Sequence, residues 1–144
     1  MEYITNSPEE TIELGKKLGA ILKAGDILAF YGELGSGKTT MIKGICLGLG
    51  VSEAGIVKSP SFIIINEYQG RYPIYHIDLY RIQNPSEIIS LGLDDYLEGS
   101  GVSIIEWAEK LPTPLPSRTI RIELEILNST SRKIKLPGLT VNLH

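Results

Sequence analysis

The octapeptide Gly32-Glu33-Leu34-Gly35-Ser36-Gly37-Lys38-Thr39 decides the fold class of this chain of 144 residues. Its spacing, G-x-x-x-x-G-K-[ST], is that of a P-loop, in which backbone amides surround phosphate groups. Residues 26–31 before it form a short apolar run typical of a strand. The apolar residues after it recur at helical spacing: Met41, Ile42, Ile45, Cys46 and Leu49. Strand, glycine loop and helix in this order form the context that the motif requires, which favours a P-loop over a chance glycine-rich turn.

The residue types in the octapeptide suit the binding of a polyanion. Glycines adopt conformations that a Cβ would penalise, so successive N–H groups can point to one centre. The positive end of the following helix also favours phosphate there. We expect Lys38 to reach the terminal phosphates and the Thr39 hydroxyl to hold Mg²⁺.

Composition limits the class of protein. The chain is 42% hydrophobic and 22% charged, which is typical of a globular domain, and we expect residues 1–144 to form one domain. Lys and Arg number 14 against 17 Asp and Glu, and this net charge of −3 argues against binding nucleic acid by bulk electrostatics. The single cysteine, Cys46, excludes a disulfide framework, and its place on an apolar stripe indicates a core thiol.

Targeting signals are not visible in the sequence. The first residues lack a basic region followed by a long apolar run, and no apolar stretch approaches the length of a membrane span. The sequence therefore predicts a cytoplasmic protein that does not contact membranes.

Two further strands end in carboxylates. Residues 101–106 form a buried-type strand that delivers Glu106 at its C-terminal end, as a Walker-B strand does for Mg²⁺. Residues 63–68 and 73–80 predict a hairpin whose second strand alternates. Ile74, His76, Asp78 and Tyr80 share one face, and Tyr75, Ile77 and Leu79 face a core. From the pattern alone, Asp78 is either a site carboxylate or a cap for the next segment, and Trp107 is more simply core.

The remaining segments complete an α/β fold. Ser7 and Pro8 predict a helix start, with Thr11 as a solvated residue of its first turns. Residues 84–97 predict two short helices broken at Gly92, and residues 119–127 and 131–136 predict two closing strands. We expect a three-layer P-loop domain with a central mixed sheet and an antiparallel strand pair at its C-terminal end.

With these stretches in view, the sequence resembles the TsaE (YjeE) family of small bacterial P-loop ATPases. The resemblance covers nearly the whole chain and is carried by residues 11–15, 32–40, 59–62, 76–81 and 105–107. It implies a role in forming N6-threonylcarbamoyladenosine at position 37 of tRNAs that read codons beginning with A. It also implies that ATP is hydrolysed in a complex with TsaB and TsaD, with tRNA reached only indirectly.

The resemblance also implies site residues. Nucleotide contacts would come from Gly32, Glu33, Leu34, Gly35, Ser36, Gly37, Lys38, Thr39 and Thr40. Thr39 and Glu106 would hold Mg²⁺, and Asp78 would orient water. Ser61 replaces the usual threonine of a switch loop, and Thr11 and Arg132 match positions near the nucleoside.

Two other functions fit a short P-loop protein. A small-molecule kinase usually needs a lid with several arginines, whereas only Arg71 and Arg81 lie between the P-loop and Glu106. A nucleotide-gated adaptor would bind ATP without using it. A GTPase is disfavoured because no N-K-x-D or T-K-x-D motif occurs. Arg81 is more simply an exposed strand-end residue than a catalytic cation, so we expect slow hydrolysis by the isolated chain.

Overall fold

A mixed sheet of seven strands organises residues 1–56 and 64–143, the part of the chain that the computed structural model describes. The strands are β1 (Glu2–Thr5), β2 (Ile27–Tyr31), β3 (Ile65–Gln69), β4 (Pro73–Asp78), β5 (Val102–Glu106), β6 (Ile120–Ile126) and β7 (Arg132–Lys135). Their order is β1-β7-β6-β2-β5-β4-β3. The inner four, β6, β2, β5 and β4, run parallel, and β3 and β7 flank them in the antiparallel sense. The predicted mixed sheet and antiparallel C-terminal pair are confirmed.

Helices cover both faces of this sheet. They are α1 (Pro8–Ile21), α2 (Lys38–Gly48), α3 (Pro85–Ile89) and α4 (Leu93–Leu97). One core holds α1 and α2 against sheet residues such as Leu28, Phe30 and Ile104. The other holds α3 and α4 against Ile77 and Ile105. The predicted three layers are confirmed.

Glycines let α1 and α2 approach very closely. A Cβ on Gly15 would lie 2.5 Å from the Met41 carbonyl oxygen, and one on Gly19 would lie 2.3 Å from that of Ile45. On α2, Cβ atoms at Gly44 and Gly48 would lie 2.2 and 2.3 Å from the backbone of α1. Real side-chain atoms do not reach such distances, so the contact between these helices is made by backbone.

Arg71, in the turn between β3 and β4, ties down the ends of both helices. Its guanidinium donates to the carbonyls of Gly19 and Leu22 at 3.0 and 3.1 Å, and to that of Gly48 at 3.2 Å. Carbonyls at a helix C-terminus lack their usual i+4 partners, and the Gly19 carbonyl here also accepts from the Leu22 N–H. One side chain therefore joins the hairpin to α1 and α2.

The start of α1 follows the prediction. The Ser7 hydroxyl accepts from the Glu10 N–H at 3.1 Å, and the Glu10 carboxylate accepts from the Asn6 N–H at 3.0 Å. Ser7 thus caps α1, and Glu10 binds back to the residue before the cap, in an arrangement close to a capping box. The two short helices are also confirmed, with the break at Gly92, whose φ of 66° lies in the left-handed region.

One expectation about burial is wrong. Thr11 is buried, not solvated, because the unpredicted strand β1 brings the Thr5 hydroxyl within 2.7 Å of its own. Ile74 and Ile77 lie on opposite faces of β4 and are both buried, because β4 is an inner strand with helices on both sides. β4 ends at Asp78, and Tyr80 lies beyond it with 46% of its surface exposed.

Within the described residues, every helix is too short or too polar to traverse a lipid bilayer.

Candidate functional site

The candidate site lies at the C-terminal ends of three neighbouring parallel strands. Phe30 of β2 and Asp78 of β4 both pair in register with Glu106, the last residue of β5. The loop that follows β2 leads into α2. Open α/β sheets bind ligands at this edge because the loops after parallel strands leave a crevice there.

The octapeptide forms a turn that ends at the first residue of α2. Gly37 is the N-cap of α2, with a φ of 99° that suits glycine, and no side chain caps the helix. The first amides of α2 therefore lack a side-chain acceptor and can bind an anion. Gly32 also has to be glycine, because a Cβ would lie 2.7 Å from the Leu124 carbonyl oxygen.

The loop also contains a buried hydroxyl in need of a partner. Ser36 is fully buried, and its Oγ has no hydrogen-bond partner within the described residues. Buried polar atoms are almost always paired, so an orphan in a phosphate-binding motif is consistent with a ligand that completes it. The donor set of the loop (amides, a hydroxyl and an ammonium group) fits a nucleoside triphosphate.

Lys38 is held inside the loop. Its Nζ donates to the Gly32 carbonyl at 2.6 Å and lies 3.8 Å from the centre of the Trp107 ring. Burial lowers the pKa of Lys38, and the carboxylates of Glu106, Glu109 and Asp78 oppose that shift. The ammonium group is thus held by one carbonyl and one aromatic ring, and it can exchange its carbonyl contact for a phosphate oxygen.

Glu106 and Asp78 are the acids of the site. Glu106 is only 4% exposed, and its Oε2 lies 2.7 Å from the Nε2 of His76. Burial raises the pKa of Asp78, although its carboxylate accepts from the Tyr80 N–H at 3.0 Å. From the sequence, Asp78 was either a site carboxylate or a cap. In the structure it caps the following turn and also lies beside Glu106.

Trp107 does more than fill a core. It packs partly buried against the second core, and its indole ring lies over Lys38 with the Tyr80 ring 5.1 Å away. Among the described residues, Trp107 is the one non-glycine residue with a positive φ, and its φ of 60° lies in the left-handed region. Such strain persists only where the surrounding structure imposes it, and it concentrates at functional sites.

The residues assigned to the nucleoside lie at different places. Arg132 on β7 is beside the loop and donates to the Gly35 carbonyl at 3.2 Å, while its buried Nε has no partner among the described residues. Thr11 is linked to Arg132 through Thr5. The Thr11 hydroxyl contacts that of Thr5, and Thr5 pairs in register with Arg132. Ser61 lies outside the described residues.

The other residues of the loop are more exposed. Leu34, at the tip of the turn, is 70% exposed, and the side chains of Glu33 and Thr39 are also exposed. Thr40 is half-buried, and Arg81 is exposed. The exposed Thr39 hydroxyl is free to approach a metal from the first turn of α2.

A magnesium site would need the nucleotide. Across residues 1–56 and 64–143, no three His, Cys, Asp or Glu side chains converge to hold a metal ion. Mg²⁺ is commonly held by one or two protein ligands together with substrate phosphates. Two protein ligands, such as the predicted Thr39 and Glu106, would be enough for a site of that kind.

Sequence reasoning missed two contacts in the site. It placed His76 on the same face as Asp78 but did not pair it with Glu106. It also did not place the Trp107 ring over Lys38. The parallel pairing of β4 with β5 produces the first contact and the left-handed turn after β5 produces the second, and neither is local in sequence.

Comparison with known proteins agrees with this architecture. The family model described as "Threonylcarbamoyl adenosine biosynthesis protein TsaE" matches residues 5–134. The tRNA threonylcarbamoyladenosine biosynthesis protein TsaE of Bacillus subtilis is 42% identical, over 93% of this chain and 83% of the relative. The protein of the same name from Treponema pallidum is 34% identical, over 93% of this chain and 98% of the relative.

A solved structure is also similar. The crystal structure of Bacillus subtilis YdiB superposes with a TM-score of 0.71 at 37% sequence identity, covering 93% of this chain and 82% of that one. The family model and the curated relatives cover most of the chain, including the octapeptide and the strands that bear Asp78 and Glu106. This chain therefore belongs to the TsaE family.

Proposed function

We propose that this protein binds ATP with Mg²⁺ at its P-loop and hydrolyses it in support of N6-threonylcarbamoyladenosine formation in tRNA. One observation carries the proposal: a P-loop with Lys38 lies beside Glu106 and Asp78 at the ends of adjacent parallel strands, in a chain of the TsaE family.

The residues of the site divide into binding and reacting groups. The amides of the loop and the Lys38 ammonium group bind phosphate oxygens. The Thr39 hydroxyl and the Glu106 carboxylate hold Mg²⁺, which supplies charge neutralisation for phosphoryl transfer when bound. Arg132 contacts the loop at the Gly35 carbonyl, and we propose that it binds the nucleoside together with Thr11 and Ser61.

Asp78 is the proposed residue for orienting the attacking water. Its carboxylate is fixed by the Tyr80 N–H, and its pKa is raised by burial. A carboxylate with a raised pKa accepts a proton more readily than an exposed one, which suits a group that holds and deprotonates water. Asp78 and Glu106 thus have separate tasks, one toward water and the other toward the metal.

A partner would supply what the isolated chain lacks. Phosphoryl transfer needs cations around the transferring group, and Lys38 is the buried cation of this site. Arg81 is exposed and forms no ion pair with any described residue. We therefore propose slow hydrolysis by the chain alone and faster hydrolysis with TsaB and TsaD, with tRNA reached only through that complex.

The test measures phosphate release by the purified chain, alone and with TsaB and TsaD added, for the native protein and for Lys38→Ala. Stimulation by the partners that is lost in Lys38→Ala supports the proposal. Tight ATP binding without stimulated phosphate release would instead indicate a nucleotide-gated adaptor. Transfer of phosphate to an added metabolite would indicate a kinase.

A further inference from the structure

His76 is a partly buried polar residue to which the proposed mechanism assigns no task. It lies on β4 two residues before Asp78, with 13% of its side chain exposed, and its Nε2 is 2.7 Å from Glu106 Oε2. The Glu106 side chain is 6% exposed. This contact is therefore shielded from water, unlike the exposed ion pair of Lys16 with Glu13 on α1.

The proposed metal role of Glu106 sets the direction of the hydrogen bond. A carboxylate that binds a metal is ionised and only accepts, so in that state the His76 Nε2 carries the proton and donates. The contact uses Oε2 and does not involve Oε1. One oxygen of Glu106 is thus anchored, while the other lies outside the contact.

The Lys38 ammonium group also interacts with the Glu106 carboxylate. Three carboxylates raise the pKa of Lys38 against the effect of burial, and Glu106 has the largest effect of the three. The two groups therefore interact across the site. The Lys38 ammonium nevertheless contacts Gly32 and Trp107. A Glu106 side chain without its anchor would be free to rotate toward Lys38 and so withdraw both groups from a ligand.

We propose that His76 is a positioning residue that holds the Glu106 carboxylate ready for the metal and away from Lys38. This inference rests on the proposed function. Side chains that orient a metal ligand generally change metal affinity about 10- to 100-fold when they are removed. The expected effect of losing the Nε2–H donor therefore falls on the metal and not on the phosphates, which the loop binds by itself.

The test compares His76→Leu with His76→Gln. Glutamine offers an N–H donor at a reach similar to that of the imidazole Nε2, and leucine offers none. For each folded variant, the affinity for Mn²⁺ is measured by electron paramagnetic resonance in the presence of a non-hydrolysable ATP analogue. Affinity for the same analogue without metal is measured in parallel, and thermal unfolding verifies that each variant is folded.

We expect His76→Leu to bind Mn²⁺ on the order of tenfold more weakly, with its metal-free affinity for the analogue nearly unchanged. We expect His76→Gln to recover most of the Mn²⁺ affinity. Tyr75→Phe is the matched control, since Tyr75 lies on the opposite face of β4 against Tyr96, and it should leave both affinities unchanged.

Three results would overturn the inference. Unchanged Mn²⁺ affinity in His76→Leu would show that Glu106 needs no anchor. Equal losses in His76→Leu and His76→Gln would show that ring packing, and not the N–H donor, supports the site. If the native protein does not bind the analogue at all, the proposed function fails together with this inference, which distinguishes that outcome from the other two.

Discussion

The α1–α2 interface and the phosphate site share helix α2 but differ in what they bury. At the interface, glycine backbone of one helix meets backbone of the other. At the N-terminus of α2, an ammonium group and a carboxylate are buried beside a residue with left-handed backbone. Close apolar packing stabilises a fold, whereas buried charge generally reduces its stability. The first region therefore fixes α2, and the second uses that fixed position for binding.

The largest expected effect concerns Lys38. Replacement by alanine removes the buried cation of the site, and phosphate release should fall on the order of a hundredfold to a thousandfold. Stability should change little, because burial already disfavours the charged form of Lys38. The control is Lys43→Ala on the same helix, since Lys43 is an exposed residue 3.7 Å from Glu53. An equal loss of activity in both variants would contradict the assignment.

Asp78→Asn should separate activity from stability. Loss of the proton acceptor should lower phosphate release about a hundredfold. Burial raises the pKa of Asp78, so the native state binds its proton more tightly than the unfolded state does. The free energy of unfolding therefore falls as pH rises from the usual carboxyl pKa to the raised one, and it stays lower above that value.

Because asparagine carries no such charge, Asp78→Asn should unfold at a higher temperature than the native protein at pH 7. That advantage should disappear at acidic pH. Thermal unfolding at both pH values, monitored by circular dichroism, measures the difference. A variant that is less stable at pH 7 would show that the charge of Asp78 stabilises the fold.

Gly44→Ala tests the other region. The new Cβ would start 2.2 Å from the Ile12 carbonyl oxygen, so α1 and α2 must separate. Overpacking of this kind generally costs about 1–3 kcal/mol in the free energy of unfolding, despite the better helix propensity of alanine. Urea unfolding measures the loss. Gly138→Ala is the control, because a Cβ there meets no atom within 4 Å. Equal stability of both variants would contradict the close contact.

The smallest effect is expected for Arg71→Ala. This change leaves the carbonyls of Gly19, Leu22 and Gly48 without their guanidinium donor. Because Arg71 is largely exposed, water replaces part of each hydrogen bond, and the cost should be about 1 kcal/mol. Hydrogen exchange should show faster opening at the C-terminal ends of both helices. Faster exchange at the N-terminus of α2 instead would place the role of Arg71 at the phosphate site.

Sequence patterns predicted the structure correctly wherever it depends on residues that are neighbours in the chain. The P-loop, the helix N-cap at Ser7 and the break at Gly92 depend on neighbouring residues and on backbone preference. The hydrophobic run of β5 predicted a buried strand that ends in Glu106, and that strand is fully buried. Parallel inner strands read as continuous apolar runs, which makes them easy to recognise.

Other residues were misread because their partners lie far away in the chain. Strand β1 has only four residues, too few for a clear alternation, and it forms by pairing with β7. Missing β1 led directly to the wrong environment for Thr11. The alternation of β4 predicted a core on the face of Ile77 but did not reveal the second core, which lies on the face of Ile74.

By itself, the sequence determined the fold class, the phosphate loop and the two strands that carry carboxylates, because these follow from spacing and local backbone preference. Tertiary structure alone decided which groups meet. It brought His76 to Glu106, the Trp107 ring to Lys38, and Arg132 to the loop through β7. Such contacts depend on strand order and register, which short-range patterns do not encode.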